Sequence, residues 1–180
     1  DKGSNIFLDS AIKQNNILAI SNVFWSFSHL GLEAPKLFGL FDDVTTANLF
    51  IEECKTRGNE GPRYVSNVLW SLATQGKQHG LNKINFFAAV ENNAEWYIKT
   101  ALDAETMQGI SNALWAFSTV GAEGTKLFET LSNESERFVS VITKSDNPQY
   151  VQAISNVVWA FGREKYPREQ IYKAVEEEAD

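Results

Sequence analysis

Apolar positions in this chain recur with the spacing of a helix face, and the same face is written four times. Aligned on Ser21, Ser66, Ser111 and Ser155, the residue before each serine is Ile20, Val65, Ile110 or Ile154. The third residue after it is Phe24, Leu69, Leu114 or Val158, and the sixth is Phe27, Leu72, Phe117 or Phe161. Steps of four and three hold these side chains on one side of an α-helix, which predicts four amphipathic helices with that stripe toward a core. The four blocks share the word Ser-Asn-x-x-Trp, and their serines lie 45, 45 and 44 residues apart. Four of the five tryptophans fall in this register. A fixed period of that length marks a helical-repeat array, in which each unit buries its apolar face against its neighbours.

A second face of each motif helix carries a large ring between small residues: Ser21, Trp25 and Ser28; Ser66, Trp70 and Ala73; Ser111, Trp115 and Ser118; Ser155, Trp159 and Gly162. Small neighbours let another helix approach and leave a slot for the indole, so Trp25, Trp70, Trp115 and Trp159 are expected in the structural core. Gly31, Gly76 and Gly121 stand where a left-handed residue would close the first three helices, and Lys165 takes that place in the fourth. A second helix follows, clearest as Pro35-Lys36-Leu37-Phe38 and Thr125-Lys126-Leu127-Phe128. In the second copy two extra residues within 75–82 predict a longer loop before Lys83, Ile84 and Phe86. Segments 47–57, 94–102 and 136–143 are either the continuation of that second helix or a separate third one. Turn chemistry precedes the later motif helices, as in Gly58-Asn59-Glu60-Gly61-Pro62 and Ser145-Asp146-Asn147-Pro148.

The expected fold is therefore all-α, an α-solenoid of about four repeats forming a single domain over 1–180. Residues 1–17 are expected to be an N-terminal capping helix. The repeats run at about 18–62, 63–107, 108–151 and 152–180. Pro167 is placed to start the last second-type helix.

Composition narrows the function classes. Hydrophobic residues make up 43% and aromatics 12%, which excludes disorder, and no apolar run nears the roughly 18 residues of a membrane span. No membrane insertion is expected. The single Cys54 leaves no disulfide framework within the chain and fits a reducing or organellar interior. The chain opens at Asp1 with neither Met nor an Arg-rich or apolar leader, as expected of a processed form or a fragment. A formal charge of −7 repels phosphate at long range, so nucleic-acid binding would need a local basic strip. Arg163, Lys165, Arg168 and Lys173 gather near the C-terminus, but Glu176, Glu177, Glu178 and Asp180 follow and are placed to neutralise them. The catalytic inventory is thin: His29 and His79 are far from Cys54, and neither a nucleophile elbow, a phosphate-cradling loop nor a metal-ligand spacing is present. The reading is no enzyme, no cofactor, no metal and no small-molecule substrate.

The word Ile-Ser-Asn-x-x-Trp-Ala-Phe, preceded by Asn147-Pro148-Gln149 and followed by Gly121 in its best copies, resembles the octotricopeptide-type repeats and the related arrays of RAP-domain proteins. The resemblance covers all four motif helices and is weak over the helices between them. Repeats of that family are typically shorter, and no RAP domain is visible. The resemblance implies an array in the manner of HEAT, armadillo and octotricopeptide proteins, an organelle interior (plastid or mitochondrion), and work in RNA processing, stability or translation.

The residues best placed for recognition follow from the repeat. Asn22, Asn67, Asn112 and Asn156 are constant. Four residues on lie Ser26, Ser71, Ala116 and Ala160, and three further lie His29, Thr74, Thr119 and Arg163. A fixed amide beside a changing polar tip is how a repeat protein reads a polymer unit by unit. The stronger reading of the same amides is a structural ladder, in which, stacked between helices, they bond backbone groups of the next repeat and fix register. Trp96, outside the register, is free to be a surface contact. Two functions follow. The first is a non-catalytic scaffold, a subunit or assembly factor of a larger organelle complex with protein subunits as partners, which net acidity favours. The alternative is an RNA-binding module, which the motif favours.

Overall fold

The computed structural model describes Ser10 and residues 16–79, 84–164, 166 and 169–178. The expected capping helix over 1–17, together with Lys83, Lys165, Pro167, Arg168 and Asp180, lies largely or wholly outside those residues. Among the described residues there are eleven α-helices and no strand. They are α1 (Ile17–His29), α2 (Pro35–Phe38), α3 (Val44–Lys55), α4 (Gly61–His79), α5 (Ile84–Asn92), α6 (Ala94–Asp103), α7 (Met107–Val120), α8 (Thr125–Asn133), α9 (Ser135–Thr143), α10 (Gln149–Arg163) and α11 (Glu169–Glu177). Short 3₁₀ turns cover Gly39–Asp42 and Gly58–Glu60.

The four motif words fall on α1, α4, α7 and α10, and these pack in series, α1 on α4, α4 on α7 and α7 on α10. After each of the first three come two further helices rather than one long helix. The third-type helices α3, α6 and α9 each lie against the second-type helix of the next copy, α5, α8 and α11, and also touch the next motif helix. In the first copy the break is the 3₁₀ turn Gly39–Asp42 followed by Asp43, and in the second and third it falls at Asn93 and Glu134, neither a glycine nor a proline. The bend there is set by packing rather than by local backbone chemistry.

The apolar stripe of the motif helices faces these inner helices as the pattern predicts. Ile20, Val65, Ile110, Phe24, Leu69, Leu114, Leu72, Phe117 and Phe161 are buried to within 1%, Phe27, Ile154 and Val158 are half-buried, and ring pairs such as Phe24–Phe38 and Phe128–Phe161 meet edge-on at 5.0 and 4.9 Å between centroids. Gly31 and Gly121 take the left-handed conformation expected of them, at φ 64° and 67°. Gly76 does not. It lies within α4, which runs on to His79, so the predicted loop insertion begins as extra helix. Gln75 holds that extension, being fully buried with its amide donating to the Leu32 carbonyl at 3.1 Å.

Other rungs tie one copy to the next. Ser28 Oγ donates to the Ser71 carbonyl (3.1 Å), Tyr150 OH to the Glu105 carbonyl (2.8 Å), and the Gly124 N–H to Tyr166 OH (3.0 Å). Asn85 also reaches the Asp42 carbonyl. These pairs are 42 to 45 residues apart, one motif spacing. The Glu91 carboxylate accepts from the Lys126 and Leu127 N–H groups at the start of α8, satisfying helix-end donors that would otherwise be orphaned. Buried Tyr97 on α6 donates to the Gly109 carbonyl of α7 at 2.9 Å, and the loss of solvation holds its phenol far above the ordinary range.

Candidate binding face of the motif helices

With about 100° between successive residues, the core stripe, the motif serine and the motif asparagine point to three different sides of one helix. The serine side meets the following motif helix: Ser21, Ser66 and Ser111 are buried, whereas Ser155, with no motif helix beyond it, is exposed. Their hydroxyls are satisfied within the helix, by Leu18, Arg63 and Gln108 carbonyls at 2.9 to 3.0 Å. The opposite side meets the preceding motif helix through Ser71, Ala116, Ala160 and Gly109. A Cβ on Gly109 would stand 3.3 Å from Ser66 Oγ, so the small residues set how closely the helices approach.

Three sides are thus occupied, and the fourth faces solvent. It carries the asparagine and the changing residue seven positions on, with the tryptophan at its edge about 40° round from the serine. The expected burial of all four tryptophans therefore fails at Trp25 and Trp159 and is partial at Trp70 and at Trp115, which packs against the core. Trp25 is 42% exposed and Trp159 44%, while Trp70 and Trp115, which have motif helices on both sides, are half-buried. Asn22 and His29 are exposed, as is Arg163; Asn67, Asn112, Asn156, Thr74 and Thr119 are half-buried. Trp25 and His29 stack with centroids 4.7 Å apart and planes 9° from parallel, and the Arg163 guanidinium lies 5.5 Å over the Trp159 ring.

The asparagines do not form a ladder from one helix to the next. Among the described residues their one side-chain bond is within α7, where Gln108 Nε2 donates to Asn112 Oδ1 at 3.0 Å. The work expected of them is done by Ser28, Gln75, Tyr150 and Tyr166. The amides of Asn22, Asn67 and Asn156 are left for water or a ligand. Thr74 Oγ1 and Gln108 Oε1, on the same face, are buried without a hydrogen-bond partner among the described residues.

Charge is divided between the helices in a way that net charge conceals. The motif helices α1, α4, α7 and α10 contain no Asp or Glu at all, although the chain has 23. Their formal cations are Arg63, Lys77 and Arg163, all exposed. Every acidic residue lies in the other helices, the connections or the chain ends. This signal was available by counting acids helix by helix.

The remaining candidates find ordinary places. Trp96 is half-buried against the core, with Lys55 Nζ 6.0 Å from its ring. Cys54 is buried, which raises its thiol well above the usual range and keeps it unreactive. In the C-terminal cluster Lys173 pairs with Glu177 at 3.5 Å, in the expected i,i+4 relation. No group of three His, Cys, Asp or Glu among the described residues could hold a metal, and no described helix is long and apolar enough to cross a membrane. Set beside known proteins, the chain matches no family model, and neither a curated protein nor a solved structure resembles it.

Proposed function

We propose that the chain is an α-solenoid binding protein whose motif-helix face takes single-stranded RNA, in the manner that the octotricopeptide resemblance implies. The observation that supports this reading is the exclusion of every acidic side chain from the four helices that carry the constant asparagine and tryptophan. The charge of −7 argued against RNA on the premise that acidity is spread over the surface. Here the acids of the inner helices stand about one helix diameter, some 10 Å, behind the face, a distance comparable to the ~8 Å screening length at physiological salt. The face itself presents indoles for stacking, amides for base edges, and Lys77 and Arg163 for phosphates, while Arg63 is held by Glu60 at 3.0 Å. His29, Thr74, Thr119 and Arg163 vary from copy to copy and are the residues to distinguish one base from another.

With so few cations, affinity rests on stacking rather than on counterion release. Single-stranded RNA is expected to bind in the micromolar range, with log K falling against log salt at a slope of about −1.4, since each of two phosphate contacts contributes about −0.7. Titration by tryptophan fluorescence across salt concentrations measures both. Absence of quenching by any single-stranded RNA would remove the reading.

The expected scaffold role is the second reading, with protein subunits of an organelle complex as partners, and the exposed apolar Leu18 beside Trp25 on the same face is what favours it. The organelle interior as the place of action, and the absence of catalysis, rest on the resemblance and on the residue inventory.

A further inference from the structure

The three third-type helices share a burial pattern and differ at its first position. Ala47 on α3, Ala94 on α6 and Ser135 on α9 are each at most 4% exposed, and buried residues follow three, four and seven positions later in every case. Two alanines thus give way to a serine. Two residues on, Leu49 and Trp96 give way to Arg137. The junction of α9 with α11 is polar as a result, and a groove of about 470 Å³ opens between the start of α9 and the side of α11 that carries Gln170, Lys173 and Glu177. That volume lies within the range of ligand sites, about 300–1,000 Å³.

Three carboxylates line the groove: Glu134 and Glu136 at the start of α9, and Glu177. Glu136 is in the first turn of α9, where the helix dipole favours an anion, but Glu177 is in the last turn of α11, where the dipole opposes one. Neither Glu134 nor Glu136 forms an ion pair among the described residues. Of the two cations present, Arg137 is engaged by Asp103 of α6 at 2.5 Å, and Lys173 meets Glu177 at 3.5 Å with both side chains more than half exposed, a contact worth little in water. Ser135 lines the same groove. It is 4% exposed, and its hydroxyl has no hydrogen-bond partner among the described residues, an arrangement that calls for a donor or acceptor from outside the chain.

We infer that this groove docks an arginine-bearing segment of a partner protein, its guanidinium groups pairing with Glu134, Glu136 and Glu177 and donating to Ser135 Oγ. Arginine fits better than lysine, because its planar fork of donors spans a carboxylate and a neighbouring hydroxyl together, whereas an ammonium is a point charge. The groove belongs to helices behind the core, so it stands whether or not the motif-helix face binds RNA.

Fluorescence anisotropy of a labelled octapeptide of alternating Arg and Gly, titrated with the full chain at physiological salt, tests this. Saturable binding is expected, and the same peptide with Lys in place of Arg should bind about fivefold more weakly. Glu177→Gln should weaken binding of the Arg peptide about fivefold by removing one charge partner. Ser135→Ala should weaken it by about the same factor through loss of the acceptor. Its thermal stability should be unchanged, since alanine is what α3 and α6 carry at that position. Glu53→Gln removes an equal charge on α3 and should leave binding as it was. A Glu53→Gln loss equal to that of Glu177→Gln would mean attraction to total charge and overturn the site. So would full affinity in Ser135→Ala, equal affinity for the two peptides, or no saturable binding.

Discussion

The motif helices and the helices behind them bury aromatic and aliphatic side chains into one continuous core, yet their outward surfaces have opposite character. Behind the core, α3, α5, α6, α8, α9 and α11 carry Glu52, Glu53, Glu91, Glu95, Asp103, Glu129, Glu136 and Glu169, several in ion pairs such as Lys99–Glu95 within α6 at 2.7 Å and Arg137–Asp103 between α9 and α6 at 2.5 Å. In front of it, the motif helices carry amides, hydroxyls, indoles and three cations and no acid within them, Glu60 standing just before α4 and 3.0 Å from Arg63. Solubility requires polar outer surfaces but does not require that one of them be free of Asp and Glu. The motif word therefore has two parts. Its apolar residues and serines pack the motif helices against their neighbours, while the asparagine side is the least covered, exposed at Asn22 and half-buried at Asn67, Asn112 and Asn156.

The largest loss of stability is expected where a substitution attacks the shared core. Phe117→Ala removes a fully buried ring that packs against Phe87 at 4.9 Å and should cost about 3–5 kcal/mol of stability by chemical denaturation. Trp25→Ala should behave differently. Its ring is 42% exposed, so thermal stability should change little, whereas RNA affinity should fall about tenfold, the loss of one stacked base. A Trp25→Ala chain that unfolds like Phe117→Ala would return the indole to the core and undo the division into two faces.

Behind the core, Asp43 offers a contrast of another kind. Its carboxylate caps α3 by accepting from the Thr46 N–H (2.7 Å) and hydroxyl (2.8 Å), and these bonds hold its carboxyl below the ordinary range. A lowered folded value means that the stabilisation is full above the unfolded carboxyl's range of about 4 and is lost as pH falls through the folded value. Asp43→Ala should therefore lower the melting temperature at neutral pH. That difference should vanish in strong acid, and RNA binding should be unaffected throughout.

The smallest expected effect sharpens the charge argument. Thr74→Glu places one negative charge on the acid-free face, and at about 7 Å from a phosphate in water it should weaken RNA binding about threefold. Glu129→Lys, on α8, changes charge by twice as much behind the core and should leave binding unchanged at physiological salt. Equal effects from the two would mean that total charge, not its placement, governs association.

Much of the fold was legible because periodicity reports burial. The stripe containing Ile20, Phe24 and Phe27 and its counterparts located all four motif helices, and Gly31 and Gly121 marked two of their ends. The division of the intervening segments into two helices was not legible, since the breaks at Asn93 and Glu134 arise from third-type helices turning to meet the next copy. Trp25 and Trp159 were misplaced for a related reason. Small neighbours do signal a close helix, but the helix comes to the serine side and the ring stands at the margin of that contact. Sequence also identified the asparagines while favouring a ladder for them. Hydrogen bonds at one-repeat separation instead come from Ser28, Gln75, Tyr150 and Tyr166, residues with no common place in the motif word.

The claim that the motif-helix face is the ligand surface is tested most directly by photocross-linking the full chain to single-stranded RNA containing 4-thiouridine and mapping the modified peptides. The account predicts attachment within α1, α4, α7 and α10, concentrated at Trp25, Trp70, Trp115 and Trp159, and none on α3, α6 or α9. Attachment spread over both faces, or confined to the acid-rich helices, would contradict it.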